Sequence, residues 1–363
     1  MTTTTAPGGT ATVAATRLDG VDVARALAIL GMVTVHIGPY PVDEGGPAAW
    51  VYASFAGKAS LLFVVVAGIG VALLSGRHDR RTVRARLLYR TAWLLPLGLW
   101  LQSLDHPVAV ILQYYAVYFA LVAPFVGRGG PVLRRWALVL AAFGSVLVLA
   151  TYVLTPEWVV PLQGDSPTGV LGDIALFGYY PAVTWVPAMV FGMYLGTLDL
   201  ATRRTQVWLM AGGAASLLVT TQLGRVLPDV LGVQVGQDRW TWLLTTEAHS
   251  QMPLWLIGGV GFAVGVLGAS LLVAARWPRL LRPLADLGRL ALSVYVGHLL
   301  LFHVTDTLLV ARDVTEGIGK VLVFGVVVTV ASTLWLRRLP RGPLEAVVRA
   351  GWQRIRSRVA PHP

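Results

Sequence analysis

The chain has 363 residues, of which 55% are hydrophobic and only 13% are charged. Soluble domains carry about 25% charged residues, so this composition excludes an ordinary soluble protein and predicts an integral membrane protein. The chain contains no cysteine, which excludes disulfides, thiolate metal sites and cysteine nucleophiles.

The formal net charge of +11 raises the question of a nucleic-acid partner, but the positions of the charges argue against one. Lys58 and Lys320 are the only lysines, and the arginines cluster in short segments between apolar runs. Basic residues in alternate loops are typical of a membrane protein with positively charged cytoplasmic loops. We therefore expect contact with membrane lipids and no nucleic-acid partner.

The first 16 residues are small and polar and contain no apolar stretch of the kind that a signal peptide needs, so they predict a disordered tail. We expect a transmembrane domain over residues 17–336 and a basic cytoplasmic tail over residues 337–363. An apolar run of about 20 residues can cross a bilayer as a helix. Such runs predict an all-α, multi-pass protein with ten spans near 22–39, 51–75, 87–104, 107–126, 136–154, 181–198, 206–224, 252–274, 288–305 and 319–336.

The arginines also predict how the spans are oriented. With ten spans and a cytoplasmic N-terminus, most arginines fall inside, most acidic residues fall outside, and both termini are cytoplasmic. The expected location is the plasma membrane, the inner membrane of a bacterium. Two long outer loops, near 155–180 and 225–250, are candidate lids. The tail predicts a short basic amphipathic helix on the inner leaflet.

The first span, "RALAILGMVTVH", carries an arginine at one end and a histidine at the other. Asp22 and Arg25 are three residues apart and share a helix face, which fits an interfacial ion pair or a functional pair. His36 lies roughly 21 Å along the helix from Asp22, in the outer half of the membrane. An ionisable residue at this depth usually faces the bundle interior and is a functional candidate, although a neutral histidine bonded to a carbonyl is an alternative.

Lys58 lies about eight residues into the second predicted span, at a depth close to that of His36. Charged side chains inside a membrane are rare and mark functional sites. An ammonium there could interact with a phosphate or a carbonyl of a substrate. We therefore predict that Lys58 acts beside His36.

The segment "LDGVDVARALAILGMVTVH" resembles the first helix of the transmembrane acyltransferases, which include the acyltransferase-3 family and the catalytic domain of heparan-α-glucosaminide N-acetyltransferase. The signature of these proteins is an arginine, ten residues and a histidine, and Arg25 and His36 have that spacing. "FAGKASLLFVVVAGIGVAL" and "GRLALSVYVGHLLL" resemble a second and a late helix of these relatives. "RGPLEAVVR" resembles the closing motif of a related bacterial family of unknown function.

The resemblance implies a membrane enzyme that moves an acyl group, expected to be acetyl, from cytoplasmic acyl-CoA to a glycan or other acceptor at the outer side. An imidazole can act as the base or carry the acyl group, so His36 and Lys58 are the candidate catalytic residues. Arg25 would hold the cytoplasmic end of the CoA path. Arginines of the first inside loop could bind the CoA phosphates, although membrane topology alone also explains them. These candidates are Arg81, Arg84, Arg86 and Arg90.

The family's arginine motif in this loop is Arg-x-x-Arg. Arg81 and Arg84 have that spacing, and the resemblance leaves open which arginines correspond. On the acceptor side, the candidates are histidines, an acid and aromatic residues that could bind a sugar or simply anchor the helices. They are His249, Glu247, His298, His303, Trp185 and Tyr114. Their spacings match no metal motif, so we expect no metal.

Two rival interpretations stay open at this point. The protein could be a carrier or flippase for a lipid or a small molecule with no chemistry, or a relative that has lost catalysis and only binds lipid or a partner. The sequence leaves open the acyl group, the choice between O- and N-acylation, and the glycan, lipid or metabolite that accepts it. It also leaves open an acyl-histidine or a direct route, and the oligomeric state, a homodimer included.

Overall fold

The computed structural model describes residues 18–39, 54–154 and 167–359. This part of the chain is helical and contains no β-strand. The predicted tail over residues 1–16 and the first half of the loop predicted near 155–180 lie outside the described residues. The helices are α1 (Asp19–Ile37), α2 (Lys58–Ser75), α3 (Arg80–Gln102), α4 (Leu112–Val122), α5 (Gly130–Leu154), α6 (Pro167–Gly172), α7 (Ala182–Leu195), α8 (Arg203–Leu231), α9 (Pro253–Arg276), α10 (Pro278–Arg289), α11 (Ala291–Thr305), α12 (Val314–Arg338) and α13 (Pro343–Val359).

Six of the described helices are long and apolar enough to cross a membrane: α1, α2, α5, α8, α9 and α12. The number rises to eight if each of two bent helix pairs is one span. The all-α fold is thus confirmed, and the apolar helices support a membrane protein. The count of ten spans and the orientation of the termini stay predictions.

The predicted spans differ from the observed helices mainly where a helix bends or is shorter than the apolar run. The run predicted at 288–305 corresponds to α11, except that its first two residues, Gly288 and Arg289, end α10, which meets α11 at an angle of 68°. A second bend of 50° separates the helical segment 168–177 from α7. The fourth predicted span, 107–126, contains only the short helix α4 and a 3₁₀ turn. Apolar runs reveal length and hydropathy, but they do not reveal where a helix turns inside a bundle.

Helix α1 lies in the middle of the molecule and packs against α2, α9 and α10. In its most apolar stretch 67% of the residues are buried, whereas the corresponding share in α12 is 11%. The outer faces of α5, α8 and α12 expose large apolar side chains, which suits contact with lipid. The residues of α1 therefore face protein, and its polar side chains can meet those of other helices.

Glycines allow some of these helices to approach backbone to backbone, as is common in membrane helix packing. A Cβ atom at Gly288 would lie 1.8 Å from the carbonyl oxygen of Asp22, so only glycine fits between α10 and α1. Between α8 and α9, a Cβ atom at Gly213 would meet the backbone of Gly261 and Gly265. The contact at Gly288 brings Arg289 next to the arginine end of α1.

The basic tail contains the helix α13, which packs against α3 and α11. Glu345 is its attachment point, since its carboxylate accepts hydrogen bonds from the backbone N–H groups of Leu292 and Ser293 at 2.8 and 3.2 Å. The Ser293 hydroxyl donates to the same carboxylate at 2.5 Å. A carboxylate at the first turn of α11 also complements the helix dipole. The helix that the tail predicts is present, and its place on the inner leaflet stays a prediction.

Candidate active site

A cavity of about 610 Å³ opens between α1, α2, α3, α4, α10, α11 and α13, and we call it the arginine cavity. Six arginines line it, and Glu345 is its one acidic lining residue among those the structure describes. These side chains come from parts of the chain that are distant in sequence. The arginines are Arg25, Arg86, Arg90, Arg289, Arg341 and Arg349.

Only part of this positive charge is neutralised by the protein. Arg25 pairs with Asp22 at 2.5 Å, and Arg289 pairs with Asp286 at 2.9 Å. The other four cavity arginines have no carboxylate within 4.0 Å in the described ranges, 18–39, 54–154 and 167–359. Unpaired cations in a partly desolvated space are unfavourable, so the cavity suits a ligand that carries several negative charges.

The unpaired arginines also repel one another. Electrostatic repulsion acts between Arg349 and Arg86. It acts again between Arg90 and its neighbours Arg86 and Arg25. Together with Arg25, which is paired with Asp22, the unpaired Arg349, Arg86 and Arg90 form a row of guanidinium groups that leads from α13 along α3 to α1. Such a row fits several phosphate groups better than a single carboxylate, because each phosphate can pair with an arginine bidentately.

Aromatic rings line the same space. The Tyr89 and Trp352 rings, from α3 and α13, lie 5.7 Å apart and are inclined at 49°. Trp93 lines the cavity beside them. The Tyr89 hydroxyl is buried and has no hydrogen-bond partner among the described residues. Rings and a free hydroxyl next to arginines fit a ligand that combines phosphates with an aromatic heterocycle.

Tyr295 closes the inner end of the arginine cavity. Its hydroxyl accepts a hydrogen bond from the backbone N–H of Ile111 at 3.0 Å, which fixes the ring. The ring lines the cavity on one side and meets the His298 ring edge to face on the other, with 5.0 Å between centroids. Tyr295 therefore separates the arginines from the histidines by the width of one ring.

His36 and His298 form a hydrogen-bonded pair between α1 and α11, which we call the histidine pair. His36 Nδ1 lies 3.1 Å from His298 Nε2. His298 is 2% exposed, whereas His36 is partly exposed. If His36 donates its Nδ1–H, its Nε2 keeps a lone pair and can act as a base or a nucleophile. His298 then accepts that hydrogen bond and holds the ring of His36 in place.

Helix α1 connects the two sites. His36 is eleven positions after Arg25, which corresponds to about 16 Å along the helix axis. The pantetheine arm of CoA has about as many chain atoms as four residues, so it spans about 14 Å when extended. A phosphate held at Arg25 and a thioester held near His36 are compatible with these lengths.

Four aromatic rings surround His249, and we call them the aromatic cage: Tyr179, Tyr180, Trp185 and Trp255. The His249 ring stacks on Trp185 with 6.3 Å between centroids, and its Nδ1 lies 3.0 Å from the Tyr179 carbonyl oxygen. Burial lowers the pKa of His249, and the nearby ammonium of Lys58 lowers it further, while the Tyr179 carbonyl opposes both effects. The histidine is therefore neutral near pH 7.

The loop that carries His249 is tightly held. His249 and Gln251 both have φ near +61°, a left-handed conformation that is unfavourable for residues other than glycine. Gln251 Oε1 accepts hydrogen bonds from Trp185 Nε1 and the Thr184 hydroxyl, both at 2.9 Å. Backbone strain of this kind persists only where surrounding contacts impose it, and it is common at functional sites.

Two protein families match the chain. The family described as "Heparan-alpha-glucosaminide N-acetyltransferase, catalytic" matches residues 17–226, more than half of the chain. The chain belongs to this family. A second family, described as "Protein of unknown function (DUF418)", matches residues 195–354. No curated protein shows significant sequence similarity to the chain.

Membership of the N-acetyltransferase family indicates a membrane acyltransferase, and it confirms the resemblance that the first helix predicts. The family as a whole implies an acyl donor of the acetyl-CoA type and a glycan acceptor in general. In the part of the chain that the structure describes, no group of three or more histidines and acids is arranged to hold a metal ion.

The structure divides the predicted donor-binding residues of this acyltransferase into two groups. Arg25, Arg86 and Arg90 line the arginine cavity. Arg81 and Arg84 are exposed and do not line it, and Arg84 instead donates hydrogen bonds to the carbonyls of Ala123 and Pro124. The Arg-x-x-Arg spacing thus selects two arginines on another side of α3.

The predicted acceptor-side residues are also divided. His298 joins His36, and Trp185 packs against His249, whose neighbour Lys58 lies at the start of α2. Tyr114 meets Tyr180 of the aromatic cage with 5.4 Å between ring centroids. By contrast, the exposed side chains of Glu247 and His303 point away from these contacts, and His303 Nδ1 lies 3.1 Å from the Asp105 carbonyl oxygen.

Sequence reasoning missed several cavity residues. Arg289 and Tyr295 lie in "GRLALSVYVGHLLL", and Arg341 and Arg349 begin and end "RGPLEAVVR", the two late segments that carry the resemblance, but the sequence assigned no role to these residues. Trp352 follows these segments and lies in no motif, because its role depends on helices that meet only in the folded protein. The available signal was the position of these arginines at the same end of the bundle as Arg25.

Proposed function

We propose that the protein takes an acyl group, in the first instance acetyl, from acyl-CoA on the cytoplasmic side. It transfers this group to a hydroxyl or amine of a glycan or other acceptor at the opposite side of the membrane. In this proposal, the end of the bundle that carries the arginine cavity faces the cytoplasm. The observation that carries it is that one helix, α1, holds Arg25 in the arginine cavity and His36 in the histidine pair.

The arginine cavity fits the charged part of the donor. CoA carries three phosphate groups and an adenine, and the cavity offers four unpaired arginines next to Tyr89, Trp93 and Trp352. Guanidinium groups bind phosphates bidentately, and aromatic rings stack on a base. The pantetheine arm would then point along α1 past Tyr295 towards His36.

At the histidine pair, the proposed chemistry is a proton transfer coupled to acyl transfer. His36 Nε2 accepts the proton of the acceptor O–H or N–H while the oxygen or nitrogen attacks the thioester carbonyl carbon. The carbon–sulfur bond breaks, the CoA thiolate leaves, and it receives the proton from His36. The acylated acceptor and the CoA thiol are the products, and His36 is neutral again.

A second route uses the same residues. His36 Nε2 itself attacks the thioester carbonyl, CoA leaves as the thiolate, and the acyl group stays on the imidazole. The acceptor then attacks this acyl-imidazole, and the proton that it loses ends on the thiolate. In both routes, His298 orients the His36 ring. Lys58 is the proposed electrostatic helper, since its ammonium has no carboxylate within 4.0 Å among the described residues.

The test is to incubate the detergent-purified protein with acetyl-CoA that carries a radiolabelled acetyl group, and to measure free CoA. We expect slow release of CoA, with water in place of the acceptor, and its loss in His36→Gln. His78→Gln is the matched control, because His78 is exposed in the turn before α3 and does not line the cavity. Label that stays on the protein would select the acyl-histidine route.

Other outcomes would contradict the proposal. If no acyl-CoA of any chain length binds or releases CoA, the protein is not an acyl-CoA-dependent transferase. A carrier would instead move a solute or lipid across vesicle membranes without any thioester, and its rate would respond to an ion or proton gradient. Equal CoA release by wild type and His36→Gln would remove His36 from the mechanism.

A further inference from the structure

We propose that the C-terminal helix α13 is a wall of the donor site that recognises the 3′-phosphate and adenine of CoA. This inference rests on the proposed function, because it concerns the donor bound in the arginine cavity. It gives a role to a segment that lies outside residues 17–226, the part that matches the acetyltransferase family, and inside the part that matches a family of unknown function.

Helix α13 contributes side chains of both required types, for a phosphate and for a base. Arg349 and Trp352 line the arginine cavity, and Arg341, just before the helix, lines it too. Arg349 and Trp352 are three residues apart and therefore share a face of the helix. A guanidinium beside an indole can bind a phosphate and stack on a base at the same time.

Helix α13 is also fixed to the bundle next to the cavity. Glu345 accepts three hydrogen bonds from the first turn of α11, and the Leu344 N–H donates to the Ser293 hydroxyl at 3.1 Å. Gly351 faces α3 closely, since a Cβ atom there would lie 2.1 Å from the Tyr89 hydroxyl oxygen. Glycine weakens a helix interior relative to alanine, so its presence here fits close packing.

The helices also set the order of the charges along the cavity. Arg349 lies on α13, which packs against α3 and α11, whereas Arg25 lies on α1, so Arg349 is at the end of the row of guanidinium groups that is farthest from α1. The thioester has to reach His36, and this places the pyrophosphate, which joins the pantetheine arm, nearest Arg25 and Arg90. The ribose 3′-phosphate and adenine then lie at the other end of the cavity, next to Arg349, Trp352 and Tyr89.

A polar atom at this place lacks a partner. The Tyr89 hydroxyl is buried and makes no hydrogen bond within the part of the chain that the structure describes. Buried hydroxyls are normally satisfied by a partner, so this one fits a ligand atom. A phosphate oxygen or an adenine nitrogen that reaches the Tyr89 hydroxyl would accept a hydrogen bond from it.

The experiment compares three ligands by calorimetry on the full-length protein in detergent: acetyl-CoA, acetyl-dephospho-CoA, which lacks the 3′-phosphate, and adenosine 3′,5′-bisphosphate. In Arg349→Gln, we expect the Kd of acetyl-CoA and of the bisphosphate to rise about tenfold, because one charge-assisted hydrogen bond is lost. The Kd of acetyl-dephospho-CoA should stay as in wild type. In Trp352→Leu, all three ligands should bind about tenfold more weakly, because all contain adenine.

Two further variants separate recognition from folding. Arg356→Gln makes the same substitution on the same helix at an exposed residue outside the cavity, and its affinities should equal those of wild type. Arg349→Lys keeps a positive charge and should restore part of the affinity for the 3′-phosphate. Equal weakening of all three ligands in Arg349→Gln would show a structural effect and overturn the assignment.

The outcomes also distinguish this inference from the proposed function. If wild type binds acetyl-CoA and the substitutions in α13 leave its Kd unchanged, the inference is wrong and the proposed function stands. If wild type binds none of the three ligands, both fail together. Wild type that binds acetyl-CoA and acetyl-dephospho-CoA equally would also overturn recognition of the 3′-phosphate.

Discussion

The arginine cavity and the histidine pair lie towards opposite ends of α1, and they treat charge in opposite ways. In the cavity, like charges gather without enough carboxylates to neutralise them. At the other end, one hydrogen bond joins His36 to His298, and aromatic rings enclose His249. The first arrangement suits binding of a polyanion. The second suits proton transfer, because imidazoles held in fixed positions can accept and donate protons.

This comparison predicts that substitutions at the two ends affect different parameters. The largest effect is expected for His36→Gln, which removes the base or nucleophile and keeps a polar side chain. We expect the rate of CoA release to fall by about 10²- to 10⁴-fold, the usual contribution of a general base. The Kd of acetyl-CoA, measured by calorimetry, should change little. A rate within threefold of wild type would contradict the role of His36.

The next largest effect is expected at the cavity. Arg90 has no carboxylate partner in the described residues and lies over the Phe119 ring, 5.6 Å from its centroid. Arg90→Gln should raise the Kd of acetyl-CoA about 10- to 100-fold, because a hydrogen bond to a charged group contributes about 1.5–3 kcal/mol. The rate at saturating donor should stay near that of wild type.

Arg204→Gln is the control for this cavity prediction, since Arg204 is an exposed arginine at the start of α8 and does not line the cavity. Its Kd for acetyl-CoA should match wild type. If Arg204→Gln weakens binding as much as Arg90→Gln, general attraction by positive charge explains the affinity and a specific phosphate site does not.

A smaller effect is expected for His298, which touches His36 and acts through it. His298→Gln keeps an acceptor for the His36 Nδ1–H, whereas His298→Phe removes it. The rate of CoA release should fall roughly five- to tenfold further in the phenylalanine variant, which corresponds to one hydrogen bond. The pH profile of the rate should also shift in that variant alone. Identical rates and profiles for both variants would argue against an orienting role.

The smallest effect concerns stability and pH at the aromatic cage. The pKa of His249 in the folded protein lies below its usual value of 6.5, mainly because the ring is buried. The unfolded chain therefore binds a proton more readily, so this residue contributes stability above about pH 6.5 that is lost as the pH falls. The thermal midpoint of His249→Phe should fall less between pH 7.5 and 5.5 than that of wild type. A parallel fall would remove His249 as the cause.

Some of this account follows from the sequence alone, and the reasons are physical. The spacing predicts that Asp22 and Arg25 share a helix face and that His36 lies deeper in the membrane. The structure places Arg25 and Asp22 in an ion pair. Apolar runs predict the helices well because a bilayer requires about 20 apolar residues. His298 could be proposed as a candidate, but its contact with His36 joins residues far apart in the chain.

The rest could not be predicted because it depends on packing between distant helices. The bend between α10 and α11 places Arg289 in the cavity, and nothing in an apolar run indicates such a bend. Arg81 and Arg84 match a motif spacing, yet the direction of their helix face turns them away from the cavity. The sequence predicts Lys58 about eight residues into the second span, but it is the first residue of α2, because residues 54–57 form a turn.

The most direct test measures two quantities on the same preparations of wild type, Arg90→Gln and His36→Gln: the Kd of acetyl-CoA and the single-turnover rate of CoA release at saturating donor. The account predicts that Arg90→Gln raises the Kd and keeps the rate, while His36→Gln keeps the Kd and loses the rate. If both variants change both quantities in the same proportion, or if His36→Gln releases CoA at the wild-type rate, the division between a binding end and a chemical end is wrong.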